Sequence, residues 1–408
     1  MEKVHVNALI IGGGAAGLWL LDQLRREGRS ALLVESKSLG TGQTISAQGI
    51  LHSGLKYSLQ GLLTASAREA RDMPAIWRKC LEGNSQPDLS RTNIRSQSFY
   101  LWGTNSASSK LGMWGARLGL QVTPQAVSPH NAPALLKGCS GAIFSVAEQV
   151  ISCEALLADL AEANQKQIVQ VAETDGTDFC LGGDGRVQSV ILNSPDGKQV
   201  EVIADWNVFA AGKGNAELRS AVGLDSRKQQ TRPLHMVMIC GGLPEFYGHC
   251  VDGATTRVSI TSAKRSDGEV VWQVGGKIAE DGVDMNRDDL IARTRAELLE
   301  TMPGISLEEA RWATYRVERA EGTTMTGGRP DSFRIERDAN VLTAWPTKLV
   351  LVPQLTQGLA NTICSSPARS SDELEKLASW PRPMVAIAPW DREQSWTSLN
   401  LSSSTVAA

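Results

Sequence analysis

Residues 4–17 read VHVNALIIGGGAAG: an apolar run passes directly into three glycines, and a fourth follows two alanines later. The run reads as a buried parallel strand, and the stretch after it, through about Arg26, carries apolar residues at helical spacing. A strand and a helix joined by so few residues leave one solution, a tight glycine turn with the helix packed back on the strand. Gly12, Gly14 and Gly17 stand as G-x-G-x-x-G. Gly12 allows the turn, Gly14 lets a ligand approach the backbone, and Gly17 lets helix and strand pack closely. Ala15 and Ala16 keep the first helical turn small. Unpaired N–H groups at the positive end of the helix then face outward, which suits a pyrophosphate. A second buried strand, SALLVES at 30–36, ends with Glu35, roughly 20 residues beyond the glycines, where a carboxylate can accept hydrogen bonds from ribose hydroxyls. The motif implies a dinucleotide, FAD or NAD. A carboxylate at that place argues against a 2′-phosphate.

Beyond this unit, helix is expected over 62–82 and from about 145 to 165, and a short strand in SFYLWG at 98–103. Three β-like runs follow between 166 and 212, broken by GGDG and PDG, which read as hairpin turns. Residues 232–278 are strand-rich, 287–302 form an amphipathic helix, and 330–365 return to strand, turn and helix. From Ser365 the chain is rich in Ser, Pro and Trp, and little packed structure is expected there beyond a helix near 371–379.

The net charge of −3 is spread along 408 residues with no basic cluster, which argues against a nucleic-acid partner. Seven scattered cysteines, none in CxxC, fit a reducing compartment better than a disulfide framework, and no metal site is expected. No apolar run reaches the roughly 18 residues that span a bilayer. The N-terminus enters a strand almost at once, without a signal-peptide pattern. A soluble cytoplasmic protein is expected, with peripheral membrane contact left open.

Immediately after the second strand comes GQTISAQGILHSGLKY at 42–57, polar, jointed by glycine and without helical or strand period. Together with VNALIIGGGAAGLWLLDQLRREGRSALLVES it resembles flavoproteins of the D-amino-acid oxidase and glycerol-3-phosphate dehydrogenase superfamily. That resemblance implies FAD, bound without a covalent link, and a second loop that runs under the flavin. Thr44, Gln48, Gly49, His52, Gly54 and Tyr57 fall in the loop, with His52 in a position that implies a catalytic role. A flat ring with a hydrogen-bonding edge suits such a loop, because small residues allow close approach and backbone groups can donate.

The resemblance extends over most of 4–365. WNVFAAGKGNAEL at 206–218 is similar to the family's N-A-A-G strand end, so Ala211 and Gly212 would pass close to the cofactor. In NVLTAWPTKLVLVPQL at 340–355, Lys348 and Leu349 match the K-L of the glycerol-3-phosphate dehydrogenase turn G-G-K-L-T, although Pro346 and Thr347 replace its glycines. Lys348 would lie near flavin N1 and O2, where a cation favours hydride acceptance. The fold implied is α/β, an FAD-binding Rossmann-like (glutathione-reductase-type) domain with an inserted antiparallel-sheet substrate domain. The expected division is 1–80, 140–225 and 330–375 for FAD, 81–139 and 226–329 for substrate, and 376–408 as a C-terminal tail.

For the substrate, the resemblance implies an arginine over a carboxylate or phosphate. Arg329 matches G-x-R-P by letters and Arg319 by distance, and the sequence does not choose between them. Tyr247, His249 and Tyr315 are polar tips that could line a pocket roof. The implied activity is hydride transfer from a CH–OH or CH–NH group of a small anionic substrate, such as a 2-hydroxy acid, polyol phosphate or amino acid. The electron acceptor is open between oxygen, a quinone and a carrier protein. A flavin monooxygenase ranks lower, since no G-D-A-A-H-like segment precedes the last helix. A non-catalytic flavin-fold escort protein is disfavoured by the intact glycines, Glu35 and the second loop.

Overall fold

A computed structural model describes residues 1–52, 72–104, 124–252, 255–393 and 395–399. The chain opens as β1 (Glu2–Ile11), α1 (Ala15–Arg26) and β2 (Ala31–Glu35). After a helix at Met73–Leu81 come β3 (Phe99–Gly103) and β4 (Ile143–Val146), then α2 (Cys153–Ala163) and β5 (Ile168–Gln170). Next are β6 (Thr177–Leu181), β7 (Val187–Asn193) and the long β8 (Gln199–Phe209). A second run of strands follows: β9 (Gln229–Cys240), β10 (Gly248–Asp252), β11 (Thr255–Lys264) and β12 (Val270–Gly275). Then α3 (Arg287–Thr301) leads to β13 (Arg311–Gly322), β14 (Arg334–Asp338), β15 (Val341–Trp345) and α4 (Val352–Ile363).

Two sheets result. The first runs β14–β15–β8–β1–β2–β5, and its central strands from β15 to β5 are mutually parallel. β7 joins the first half of β8 antiparallel, and β6 pairs with β7. Strands buried on both faces need continuous apolar runs, and ALII, ALLVE and VLTAW supply them. α1 and α4 cover one face, where Trp19 tilts against Trp77 at 4.7 Å between ring centres. β1 is flanked by β8 on one side and β2 on the other, so the chain reverses direction across the sheet at β1. A crevice at the carboxyl ends of the strands is the usual ligand site at such a point.

The second sheet runs from Thr397–Ser398 through β13, β9, β12, β11, β10, β3 and β4 to Gln125–Val127. It is antiparallel except where β10 pairs with β3. α3 packs Leu290, Ile291 and Leu298 on one face. Met236, Met238 and Tyr315 on another side of the sheet meet Trp390. The α/β fold thus joins parallel and antiparallel sheets.

Several expectations change. The helix expected from 145 begins at Cys153, because 143–146 pair with β3 and the Ser152 hydroxyl caps the helix by accepting the Ala155 N–H at 3.2 Å. Residue 140 therefore precedes a strand of the second sheet rather than a return to the first. Of the helix expected over 62–82, Met73–Leu81 is helical and 62–71 lie outside the described residues. The C-terminal stretch is packed: Leu377, Ala388 and Trp390 are buried, and Leu39 bridges to Val385. Trp380 and Trp390 are core residues, and the Ser and Pro content disguises them.

Candidate active site

The carboxyl ends of β1, β2, β8 and β15 open into a cleft of about 1270 Å³ that reaches across to β13 of the second sheet. Its floor is the glycine turn. Gly12 has φ +116°, and a Cβ there would lie 2.6 Å from the Ala210 carbonyl carbon. A Cβ on Gly17 would sit 2.0 Å from the Gly12 carbonyl oxygen, so this glycine serves packing. Gly14 lines the cleft, and a Cβ there would meet only the Thr44 hydroxyl, at 3.3 Å. Ala15 and Ala16 line the same wall, and the Ala15 N–H donates to Thr44 Oγ1 at 3.3 Å.

Glu35 also lines the cleft, and its two oxygens accept from Gly13 N at 2.8 Å and Lys37 N at 2.9 Å. Carboxylate oxygens each have a second lone pair, so ribose hydroxyls can still be received. Ala211 and Gly212 line the opposite wall; Gly212 has φ +56° and open space where a Cβ would be. Sequence reasoning missed Asn215, fully buried, which accepts from Ala211 N at 2.8 Å and donates to the Ala344 carbonyl at 3.1 Å. It ties the Ala-Ala-Gly turn to β15. An asparagine at the start of the short helix after that turn was the available signal.

Lys348 and Leu349 line the cleft too. Lys348 is 7 % exposed, and its ammonium donates to the Asp331 carbonyl at 3.1 Å. In the same turn Thr347 adopts φ +62°, a conformation glycine takes without strain, and its hydroxyl donates to the Ser332 carbonyl at 2.8 Å. The backbone geometry of a glycine turn is therefore kept after the glycine is replaced. Across the cleft, Lys213 beside Gly212 forms an ion pair with Glu318 of β13. This cradle fits a dinucleotide: bare backbone at Gly12, Gly14 and Gly212, an acid at Glu35 and a cation at Lys348.

The second loop divides in two. Thr41–Thr44, Ser46 and Ala47 line the cleft. Gln48 does not; its amide is engaged by the second sheet, donating to the Ser259 and Gln273 carbonyls, each at 3.1 Å. The expected direct cofactor contact through that side chain gives way to a structural one. Gly49 has φ +73° and passes so close to Ile151 that a Cβ would lie 2.1 Å from its carbonyl oxygen. His52 lies beyond the cleft lining, with Nδ1 3.4 Å from Oε2 of Glu148, which is 3 % exposed. Its ring stacks on that of His249 at 5.5 Å, and His249 packs on Phe99. Gly54 and Tyr57 lie outside the described residues.

Neither candidate arginine lines the cleft. Arg319 points from β13 to Glu280 at 3.2 Å and to the Arg232 carbonyl at 3.2 Å. Burial and the neighbouring Arg232 charge hold its guanidinium below the usual arginine range, so Glu280 is a needed partner. Arg329 sits on an exposed stretch after Gly327. The cleft is lined instead by Arg316 and Arg392, which no sequence motif marks. Tyr247 packs with Ile50, Phe99 and Val150, and burial pushes its hydroxyl up to about 12. Among the described residues no cluster suits a metal ion, and no helix is long and apolar enough to cross a membrane.

Residues 7–345 match the DAO family model, FAD dependent oxidoreductase. The chain is 34% identical over 395 residues to the FAD-dependent oxidoreductase PA4991 of Pseudomonas aeruginosa, covering 96% of this chain and 98% of that one. The crystal structure of PA4991 superposes with a TM-score of 0.80 at 32% identity, covering 96% of this chain and 99% of the other. Glycine oxidase from Geobacillus kaustophilus (TM-score 0.64, 16% identity, 90% and 96% covered) shares the fold. So does L-α-glycerophosphate oxidase from Mycoplasma pneumoniae (TM-score 0.64, 15% identity, 91% and 97% covered), solved with FAD bound. The chain belongs to the DAO family of FAD-dependent oxidoreductases, and its cofactor is FAD.

Proposed function

We propose that the protein oxidises a CH–OH or CH–NH group of a small anionic molecule: a 2-hydroxy acid, a polyol phosphate or an amino acid. Bound FAD supplies the hydride acceptor at N5. Such an oxidation also needs a base for the hydroxyl or amine proton. The observation that carries the reading is the dinucleotide cradle of Gly12, Gly14, Glu35, Gly212 and Lys348 in one cleft; His52, on the loop whose first half lines that cleft, is the base of this reading, with Nδ1 3.4 Å from the buried Glu148 carboxylate. A carboxylate at Nδ1 favours one tautomer of the imidazole and fixes the orientation of the ring. Lys348, Arg316 and Arg392 give the cleft positive side chains for an anion. The name of a glycerophosphate oxidase among the shared folds is consistent with such a substrate class.

The test is an anaerobic bleaching screen of the yellow protein over the three substrate classes. One class should reduce the flavin, and His52→Ala should slow that reduction by about 10²–10⁴-fold while FAD stays bound. Bleaching by none of them, or an undiminished rate in His52→Ala, would overturn the reading.

A further inference from the structure

Ser46 and Ala47 line the cleft, yet the polar groups around them turn toward the second sheet. The Tyr315 hydroxyl donates to the Ser46 carbonyl at 3.0 Å, and Gln273 Nε2 donates to that same hydroxyl at 2.9 Å. Two residues on, Gln48 Nε2 reaches the Ser259 and Gln273 carbonyls, while Gln48 Oε1 accepts from Ser259 Oγ at 2.9 Å. Cys153 Sγ lies 3.7 Å from the Ala47 carbonyl. We infer that Tyr315, Gln273 and Gln48 form a clamp by which the second sheet sets the FAD-facing loop, with Tyr315 a positioning residue for the cofactor.

The chemistry favours a clamp over incidental packing. Gln273 is fully buried, Ser259 is 2 % exposed and Tyr315 is 8 % exposed, so water does not replace these bonds. A buried carbonyl that loses its donor keeps its desolvation penalty. Burial pushes the Tyr315 hydroxyl up, so it remains a protonated donor. Peptide planarity then transmits the hold: with its carbonyl drawn to Tyr315, the Ser46–Ala47 unit cannot rotate without breaking that bond. The donors come from β11, β12 and β13, three strands of one sheet, whereas the loop follows a strand of the other sheet. Loop position is thereby tied to the placement of the sheet that faces it.

The inference needs FAD binding and is independent of the substrate. Tyr315→Phe should weaken FAD binding to the apoprotein about tenfold, read by fluorescence titration. At saturating FAD it should also change the visible circular dichroism of the flavin, a signal that a merely structural role would leave alone. Gln48→Leu should act in the same direction. Wild-type FAD affinity and flavin dichroism in both variants would overturn the clamp, whatever happens to their melting temperatures. If Tyr315→Phe is insoluble, Ser259→Ala removes a single bond to Gln48, and wild-type values there would overturn it equally. A yellow protein that none of the proposed substrates bleaches would sink the functional reading and leave the clamp standing.

Discussion

The Gly13 N–H donates to the Glu35 carboxylate at 2.8 Å, so the acid that ends β2 also braces the glycine turn that ends β1. One residue thus serves the fold before it meets any ligand. Glu35→Ala should lower the stability of the FAD-free protein by about 1.5–3 kcal/mol, the range for a lost hydrogen bond to a charged group, and weaken FAD as well. Denaturant titration of the apoprotein checks the first effect. An apoprotein of wild-type stability would confine Glu35 to the ribose.

The glycines divide by what a side chain would strike. Gly14→Val should fold and purify colourless, because the added bulk enters the cleft where backbone meets pyrophosphate. Gly17→Ala should instead cost about 1–3 kcal/mol of stability, since its Cβ falls on a backbone oxygen that cannot move aside. Absorbance at the flavin band and a melting curve on each variant separate the two. Yellow Gly14→Val with full FAD content would contradict the assignment.

Lys348 is a buried cation at the cleft wall, held by a carbonyl rather than by a carboxylate in the Asp331 contact. Lys348→Met should lower the flavin midpoint potential by about 30–60 mV, the equivalent of a ten- to hundredfold change for a two-electron couple. Sulfite binding should weaken in step. An unchanged potential would place the ammonium too far from the ring to matter.

At Thr347 a β-branched residue holds φ +62°, and one hydrogen bond to the Ser332 carbonyl offsets the strain. Thr347→Gly loses that bond and relieves the strain, so its stability should stay within about 1 kcal/mol of wild type. Thr347→Val loses the bond and keeps the strain, and should be the less stable of the two by about 1–2 kcal/mol. Chemical denaturation of the pair tests the order directly.

Arg319 makes its contacts with Glu280 and the Arg232 carbonyl. Arg319→Lys should therefore leave KM for the bleaching substrate within about twofold, while lowering stability by about 1 kcal/mol because a point charge cannot serve both acceptors as the planar fork does. A sharp rise in KM would return Arg319 to the substrate. Steady-state kinetics and a melting curve on the same preparation are sufficient.

Read alone, the sequence determined the strand–glycine–helix unit, Glu35, the Ala-Ala-Gly turn at 210–212 and Lys348. The glycine unit and Glu35 follow from local constraints, since a glycine turn, a strand end and a dinucleotide's pyrophosphate are matched over a few residues of chain, whereas the turn at 210–212 and Lys348 follow from the resemblance to a family. The sequence did not determine which polar side chains face the cleft. Arg319 and Arg316 are three residues apart on one strand and so point to opposite faces, and only the packing of the second sheet decides that the Arg316 face meets the cleft while Arg319 meets Glu280. Gln48 reads as a ligand because the loop does; its amide turns to Ser259 and Gln273, which lie more than 200 positions away. The packing of the C-terminal stretch escapes the sequence for a related reason. Trp390 is buried by strands that the local composition of Ser and Pro cannot reveal. Backbone conformation is set by neighbours in sequence, whereas side-chain direction and burial are set by neighbours in space, and one wall of this protein's cleft comes from the other sheet.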